Sequence, residues 1–169
     1  MVVTLVQKYN SEWPRWFKEI KAFLGEKMSQ ACIRIEHVGS TSIPGMTAKP
    51  IIDLILVIEP KRFGEIKSLL EERGYYHKGD LDIKEREVFD LKDEAVKKSV
   101  PNHHLYVCLE HSAELKKETA FREQCKTLHV VIPPELWQED KARLAAKISA
   151  TSDSSYPEEK ERALRWARR

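Results

Sequence analysis

No apolar run in the sequence approaches the roughly 20 residues that a membrane-spanning helix needs; the longest is bounded by Pro50 and Glu59. An excess of charge of one sign is also missing. Twenty-nine Lys and Arg stand against 27 Asp and Glu, a balance of +2 with the two signs well mixed, which gives no argument for nucleic-acid binding by bulk attraction. Cysteine is scarce. Cys32, Cys108 and Cys125 are far apart and odd in number, and no CxxC or Cys/His metal spacing occurs. They read as reduced, mostly buried thiols of a cytoplasmic protein. The opening residues, Met1 to Val6, lack a basic n-region and a cleavage site, so secretion is not expected. There is no internal repeat, low-complexity tract or break in composition, and 1–169 is expected to form a single domain. What the chain does have is 41% hydrophobic and 33% charged residues, the balance of a globular protein with a real core.

Periodicity supplies the elements. Trp13, Trp16, Phe17, Ile20, Phe23 and Leu24 recur at helical spacing and predict an amphipathic helix over 9–28, with Ser11 as N-cap and Pro14 in the first turn. Ile33 and Ile35 alternate with Arg34 and Glu36, as in a half-buried strand over 31–38. The near-continuous apolar stretch 51–58 predicts a central strand covered on both faces. Pro60 starts a second helix that carries Phe63, Ile66, Leu69 and Leu70 inward and stops at Gly74. Tyr75 and Tyr76 begin a short extended piece, and 77–85 reads as a loop. Strands over 85–91 and 103–109, joined by the charged connection 92–102, read as an antiparallel ribbon. Ser112 caps a helix with Leu115, Phe121, Cys125 and Leu128 on its inner stripe and Glu114 and Glu118 on its solvated face. Pro133-Pro134 ends it, and further helices are expected over 134–148 and 156–169. The order suggests a mixed sheet with helices packed against it.

One stretch carries chemistry. Gly39 is followed by three hydroxyls, Ser40, Thr41 and Ser42, in a loop between two strands. Glycine lets a ligand approach the backbone and hydroxyls donate to oxygens, which suits a phosphate. Asp53 stands alone in the apolar strand that follows; a carboxylate there needs a partner, a cation or a metal. Phosphoryl transfer on metal usually places two acids two apart on one strand, facing the same way. Here the position two after Asp53 is Ile55. Asp53 is therefore a candidate Mg²⁺ ligand, or it caps the Gly39-Ser40 loop. Lys49 can pair Asp53, meet a phosphate or stay on the surface. His37 precedes the loop and reads as structural. His104 and Tyr106 lie two apart on a later strand and share a face. If that strand adjoins Asp53, His104 completes a metal site or acts as a base. Arg86 on the partner strand is a candidate phosphate ligand, and Arg122 is either a phosphate arm or a member of a surface ion pair.

The run from Arg34 to Asp53, RIEHVGSTSIPGMTAKPIID, closely resembles the signature of the GrpB family. So do the opening Tyr9-Asn10-Ser11-Glu12-Trp13-Pro14, the segment His104-Leu105-Tyr106-Val107 and Ala120-Phe121-Arg122. The resemblance spans nearly the whole chain. It implies an α+β, nucleotidyltransferase-like fold, a mixed sheet flanked by helices whose Gly-Ser turn and strand acid form the active-site corner. In this family the superfamily's second acid is generally apolar, as at Ile55, and relatives fused to dephospho-CoA kinase hint at nucleotide or coenzyme A metabolism. Two functional expectations follow. The first is a Mg²⁺-dependent nucleotidyl or phosphoryl transferase acting on a small molecule. In it Gly39, Ser40, Thr41 and Ser42 hold phosphate, Asp53 binds metal, and His104 serves as ligand or base. Lys49, Arg86, Tyr106 and Arg122 complete the binding site. The second is a non-catalytic nucleotide- or phosphate-binding or regulatory domain linked to coenzyme A metabolism. A hydrolase of a phosphorylated metabolite, using His104 and Asp53, is a third.

Overall fold

The computed structural model describes residues 6–128; the helices expected over 134–148 and 156–169 lie outside them. The apolar stretch forms the strand Ile52–Ile58 (labelled β2 below) and is covered on both faces, as its sequence requires. The chain reaches it through helices α1 (Trp13–Leu24) and α2 (Glu26–Ala31), strand β1 (Arg34–Val38) and a 3₁₀ turn at Ser40–Ser42. After β2 come α3 (Phe63–Glu72), β3 (Tyr75–Gly79), β4 (Arg86–Leu91), α4 (Glu94–Ser99), β5 (His103–Leu109) and α5 (Ala113–Leu128). The five strands form one mixed sheet in the order β1-β2-β5-β4-β3. Only the β2–β5 pairing is parallel. That pairing places Asp53 directly beside His104, and Ile55 beside Tyr106.

Alternation along β2 divides its side chains between two cores. Ile52, Leu54, Leu56 and Ile58 face one side, against Trp13, Ile20 and Leu24 of α1, Met28 of α2, and Ile66 and Leu70 of α3. Ile55 and Val57 face the other, with Val38, Cys108 and Leu115 of α5. Asp53 belongs to this second face, two residues before Ile55. The N-terminal segment is tied to the end of the 39–51 loop by a two-bond bridge between Gln7 and Ala48.

Most expected elements are present, and the differences have local causes. The single helix expected over 9–28 is two. Gly25 breaks it at φ +89°, and a side chain there would lie 2.5 Å from the Arg73 guanidinium. Ser11 is not the cap; the helix opens after Glu12, whose N–H is held by Asn10 Oδ1 at 2.9 Å. Ile33 falls just before β1 and is 41% exposed. The extended piece after Gly74 runs to Gly79, because His77 stacks on Phe89 and bonds Glu87 across the ladder. The charged connection before β5 contains α4, capped by Asp93, whose Oδ1 accepts from Ala95 N at 2.6 Å and Val96 N at 3.2 Å. The expected antiparallel ribbon is the β4–β5 pair, and Ser112 caps α5 through Leu115 N as its sequence indicates. Among the described residues no helix is long and apolar enough to cross a membrane.

Candidate functional site

Gly39 ends β1 at φ +71° and ψ −175°, a conformation essentially reserved for glycine. The reason is steric as well. A Cβ at this position would lie 2.5 Å from Asp53 Oδ2 and 3.1 Å from the Asp53 Cβ and Cγ. The glycine therefore lets the loop backbone close directly onto the strand acid. Ser42 Oγ donates to Gly39 O at 2.6 Å and secures the turn from inside. Thr41 is buried, with its hydroxyl 3.0 Å from His37 Nε2. His37 stacks flat on Phe17 of α1, with ring centroids 4.9 Å apart. Burial, reinforced by the charges of Arg122 and Lys126, lowers its pKa from 6.5 to about 4. His37 is thus a neutral structural ring beneath the loop.

The parallel register brings His104 to Asp53, with Nδ1 2.9 Å from Oδ1. An ionised carboxylate only accepts, so Nδ1 carries the hydrogen and Nε2 is left as the basic lone pair. The bond to Asp53 is the largest influence raising the His104 pKa. Burial opposes it, the charges of Asp53 and Asp90 add to it, and Lys78 subtracts. The His104 side chain is 54% exposed and that of Asp53 27%, so the pair stands at the surface of a cleft of about 460 Å³. Gly39, Ser40, Thr41 and Lys49 line the same cleft, as do Arg86 and Tyr106. Arg86 is only 5% exposed. Its guanidinium lies 5.1 Å from the centroid of the Tyr106 ring, meets Glu114 Oε1 at 3.5 Å and Asp80 O at 3.5 Å, and has no partner at Nε.

Eight of the ten expected site residues therefore border one cleft, and two do not. Ser42 holds the turn. Arg122 pairs with Glu36 Oε2 at 2.8 Å and donates to His37 O at 2.8 Å, clamping α5 onto β1. Burial pushes the Glu36 carboxyl up, but the bonds from Arg122 and Arg34 outweigh it and the net pKa falls. Of the two roles open for Arg122, the structure shows the ion pair. Two residues assigned to the solvated face of α5 are instead cleft walls. Glu114 is 7% exposed and held by Arg86 and Lys117; Glu118 lies four residues on, along the same helix face, with Lys117 3.6 Å away. Their helix spacing was visible in the sequence, but the buried arginine that attracts Glu114 was not.

A resident divalent cation does not fit this donor set. Among the described residues no group of three His, Cys, Asp or Glu converges to hold one. The position for a second acid is Ile55, 1% exposed in the core, and Asp53 Oδ1 is engaged by His104. A Mg²⁺ carried by a ligand's own phosphates asks less, one or two protein carboxylates and water, and Asp53 is the carboxylate placed to supply one.

An α+β protein is thus defined, with a mixed five-stranded sheet whose Gly-Ser corner, strand acid and cross-strand histidine share one cleft. A model of the GrpB protein family matches residues 3–169, and the chain belongs to that family. It is 30% identical over 116 residues to the UPF0157 protein YqkA of Bacillus subtilis (strain 168), covering 68% of this chain and 32% of the relative. It is 35% identical over 83 residues to the glutamate-rich protein GrpB of Alkalihalophilus pseudofirmus, covering 48% of each. The matched segments thus span less than half the length of these curated relatives. A crystal structure of the conserved protein GrpB from Enterococcus faecalis superposes with a TM-score of 0.64 at 22% identity, over 97% of this chain and 98% of that one. At that identity the likeness speaks for the fold.

Proposed function

We propose that the cleft binds a phosphate-bearing small molecule, a nucleotide being the natural candidate, and that His104, oriented by Asp53, moves a proton during transfer of its phosphoryl or nucleotidyl group. The observation that supports this reading most is the Asp53–His104 bond of 2.9 Å at the foot of the Gly39 corner. Gly39, Ser40 and Thr41 offer backbone and hydroxyl donors to phosphate oxygens. Lys49 and Arg86 supply positive charge toward them. Asp53 fixes the imidazole so that Nε2 takes the proton of an attacking hydroxyl as its oxygen bonds to phosphorus; the bond from phosphorus to the leaving oxygen breaks, that oxygen keeps the electron pair, and the proton passes from His104 to it or to water. The raised pKa suits a group that both takes and returns protons near neutral pH. The carboxylates of Asp53, Glu114 and Glu118 outnumber the two cations, which disfavours a bare polyanion and favours one that arrives with its own cation.

The test is thermal melting with ATP, with and without Mg²⁺, on the wild type and on Asp53→Asn. A rise of several degrees in the wild type and its loss in the variant are expected. No shift with any nucleoside triphosphate overturns the reading. Ile55 in place of a second acid favours the alternative, a nucleotide- or phosphate-binding regulatory domain without turnover, linked to coenzyme A metabolism as the family resemblance suggests. Phosphoryl transfer abolished by His104→Gln excludes that alternative. Ligand-induced stabilisation with no turnover excludes the transferase.

A further inference from the structure

Arg86 stands in the cleft with an unsatisfied donor. Its side chain is 6% exposed, and Nε has no partner among the described residues. A buried N–H left unpaired is costly and calls for an explanation. The other two nitrogens are held loosely. Nη1 donates to Glu114 Oε1 and Nη2 to Asp80 O, each at 3.5 Å, the outer limit of a hydrogen bond. We infer that this arrangement is a latch: Glu114 holds Arg86 in reserve across the cleft, and the phosphate of a bound ligand takes Arg86 from Glu114, which frees Asp80 O and the loop 80–85. The inference rests on the reading of the cleft as a phosphate site and gives that site its regulation. A ligand is admitted fully only when its charge out-competes a carboxylate.

The latch can open because neither partner is stranded when it does. Lys117 Nζ lies 3.3 and 3.2 Å from the two Glu114 oxygens, closer than Arg86. A buried carboxylate that loses its only cation is strongly destabilised; Glu114, 7% exposed, keeps Lys117. Arg86 in turn rests on the face of Tyr106, with Cζ 5.1 Å from the ring centroid. Such support has little directionality and lets the guanidinium turn. Nε is covered where it stands, so it gains a partner only through that turn. A phosphate is the better partner, since its oxygens match the N–H fork of arginine and it carries more charge than a carboxylate. The neighbouring acids are engaged elsewhere: Asp53 meets His104, and Glu118 lies 3.6 Å from Lys117.

The loop before Arg86 is built to respond. Leu81, Asp82 and Glu85 lie at φ +47°, +63° and +60°, a left-handed conformation that residues with a Cβ enter at a cost. The backbone bonds that hold the loop are long. Ile83 N reaches Asp80 O at 3.2 Å, Arg86 N reaches Ile83 O at 3.3 Å, and Leu109 N reaches Glu85 O at 3.4 Å. Asp80 O therefore serves both Ile83 N and the Arg86 guanidinium. Turning Arg86 away removes one of the two bonds at the start of the loop and pulls on Glu85 at its end. Leu81, 53% exposed, rides on the part that moves.

The experiment is NMR of the full chain titrated with ATP plus Mg²⁺, following backbone amides and arginine Nε–H signals, that of Arg86 being identified by its loss in Arg86→Lys. ATP is expected to move Gly39, Ser40 and Thr41 and, with the same midpoint, the Arg86 Nε–H and the amides of Leu81 and Asp82. Glu114→Gln removes the competing charge and keeps the shape. It is expected to tighten ATP binding at least about threefold, a gain that should vanish in the Arg86→Gln background. Where Glu114→Gln does not fold, the wild-type titration decides alone. Binding that weakens or is unchanged in Glu114→Gln overturns the latch, because Glu114 then only positions Arg86. A gain that survives in Arg86→Gln comes from the freed Lys117 and overturns it too. Shifts at Gly39–Thr41 with a still Arg86 Nε–H and a still loop overturn the latch while the phosphate reading stands. Absence of any ATP effect at Gly39–Thr41 overturns the phosphate reading and the latch with it.

Discussion

Replacing Gly39 by alanine probes the corner on which the whole site depends. The backbone there lies at φ +71°, ψ −175°, where a residue with a Cβ is strained by about 1–3 kcal/mol. The added methyl also meets Asp53 Oδ2 at 2.5 Å. Neither Asp53 nor the loop can yield freely, because Oδ1 is held by His104 and Gly39 O by the Ser42 hydroxyl. Turning the carboxylate away weakens a charge-assisted bond of about 1.5–3 kcal/mol, part of which water restores at this half-open site. A total loss of about 2–4 kcal/mol is expected for Gly39→Ala, or roughly 5–15 °C in melting temperature. The strain and the clash separate in a double-mutant cycle. In an Asp53→Ala background the overlap with the carboxylate is gone, while the 3.1 Å approach to the Cβ and the strain remain, so the cost of Gly39→Ala should fall by about 1–2 kcal/mol. The histidine gives a second reading. The His104 pKa, raised chiefly by its bond to Asp53, should drop toward the ordinary histidine value in Gly39→Ala when followed by NMR against pH. A variant that melts within about 2 °C of the wild type and leaves the His104 titration unmoved would refute the reasoning.

The remaining predictions concern the buried and paired groups. His37 has a pKa lowered from 6.5 to about 4, so its contribution is present above 6.5 and is lost as pH falls toward 4. Urea melts between pH 4 and 8 should show stability declining across that window by at most about 3 kcal/mol from this residue, and His37→Gln should flatten the decline. His104 acts in the opposite sense. Its raised pKa adds stability that is full below about pH 6.5 and fades as pH rises through the folded value, so the gap between wild type and His104→Gln should close on the alkaline side. Arg122→Ala should cost about 1–3 kcal/mol by stranding Glu36 and His37 O, yet leave nucleotide-induced shifts at Gly39–Thr41 in place, as measured by melting and NMR. Cys108 and Cys125, whose burial pushes both thiols up to about 12, should react with an alkylating reagent only after denaturant is added.

The sheet was legible in the sequence because β2 and the 103–109 strand are nearly continuous in apolar residues. The Gly39-Ser40 corner was legible because small residues between two strands leave few structural options. Arg86, His104 and Tyr106 could be named as partners of Asp53 from their residue types, but their convergence depends on β2 and β5 lying side by side in parallel. No local pattern encodes that neighbour choice. The same gap hid the acids of α5. Glu114 and Glu118 sit at helix positions that look solvated until Arg86, from a strand 28 residues earlier, arrives beneath Glu114. Conversely Arg122 has the composition of a ligand arm, and only the position of β1 shows that its partners are Glu36 and a backbone carbonyl. The break at Gly25 was missed because the apolar stripe runs on through it to Met28.

The adjacency of His103 and His104 makes the alignment of one ladder a chemical decision. The two imidazoles leave opposite faces of β5: one is locked neutral between Tyr75 and Pro101 O, and the other is coupled to a carboxylate. Sliding β5 by a single residue against β2 would exchange them, bringing His103 to Asp53 and sending His104 toward the core, because the two roles belong to the places and not to the residues. Both outcomes present an imidazole to the acid, so composition alone would not reveal the error. The two alignments differ in which ring can exchange protons with solvent. Fidelity at this site is therefore a property of folding, fixed from where the two strands begin, with Ile52 N donating to the Asn102 carbonyl at 2.9 Å.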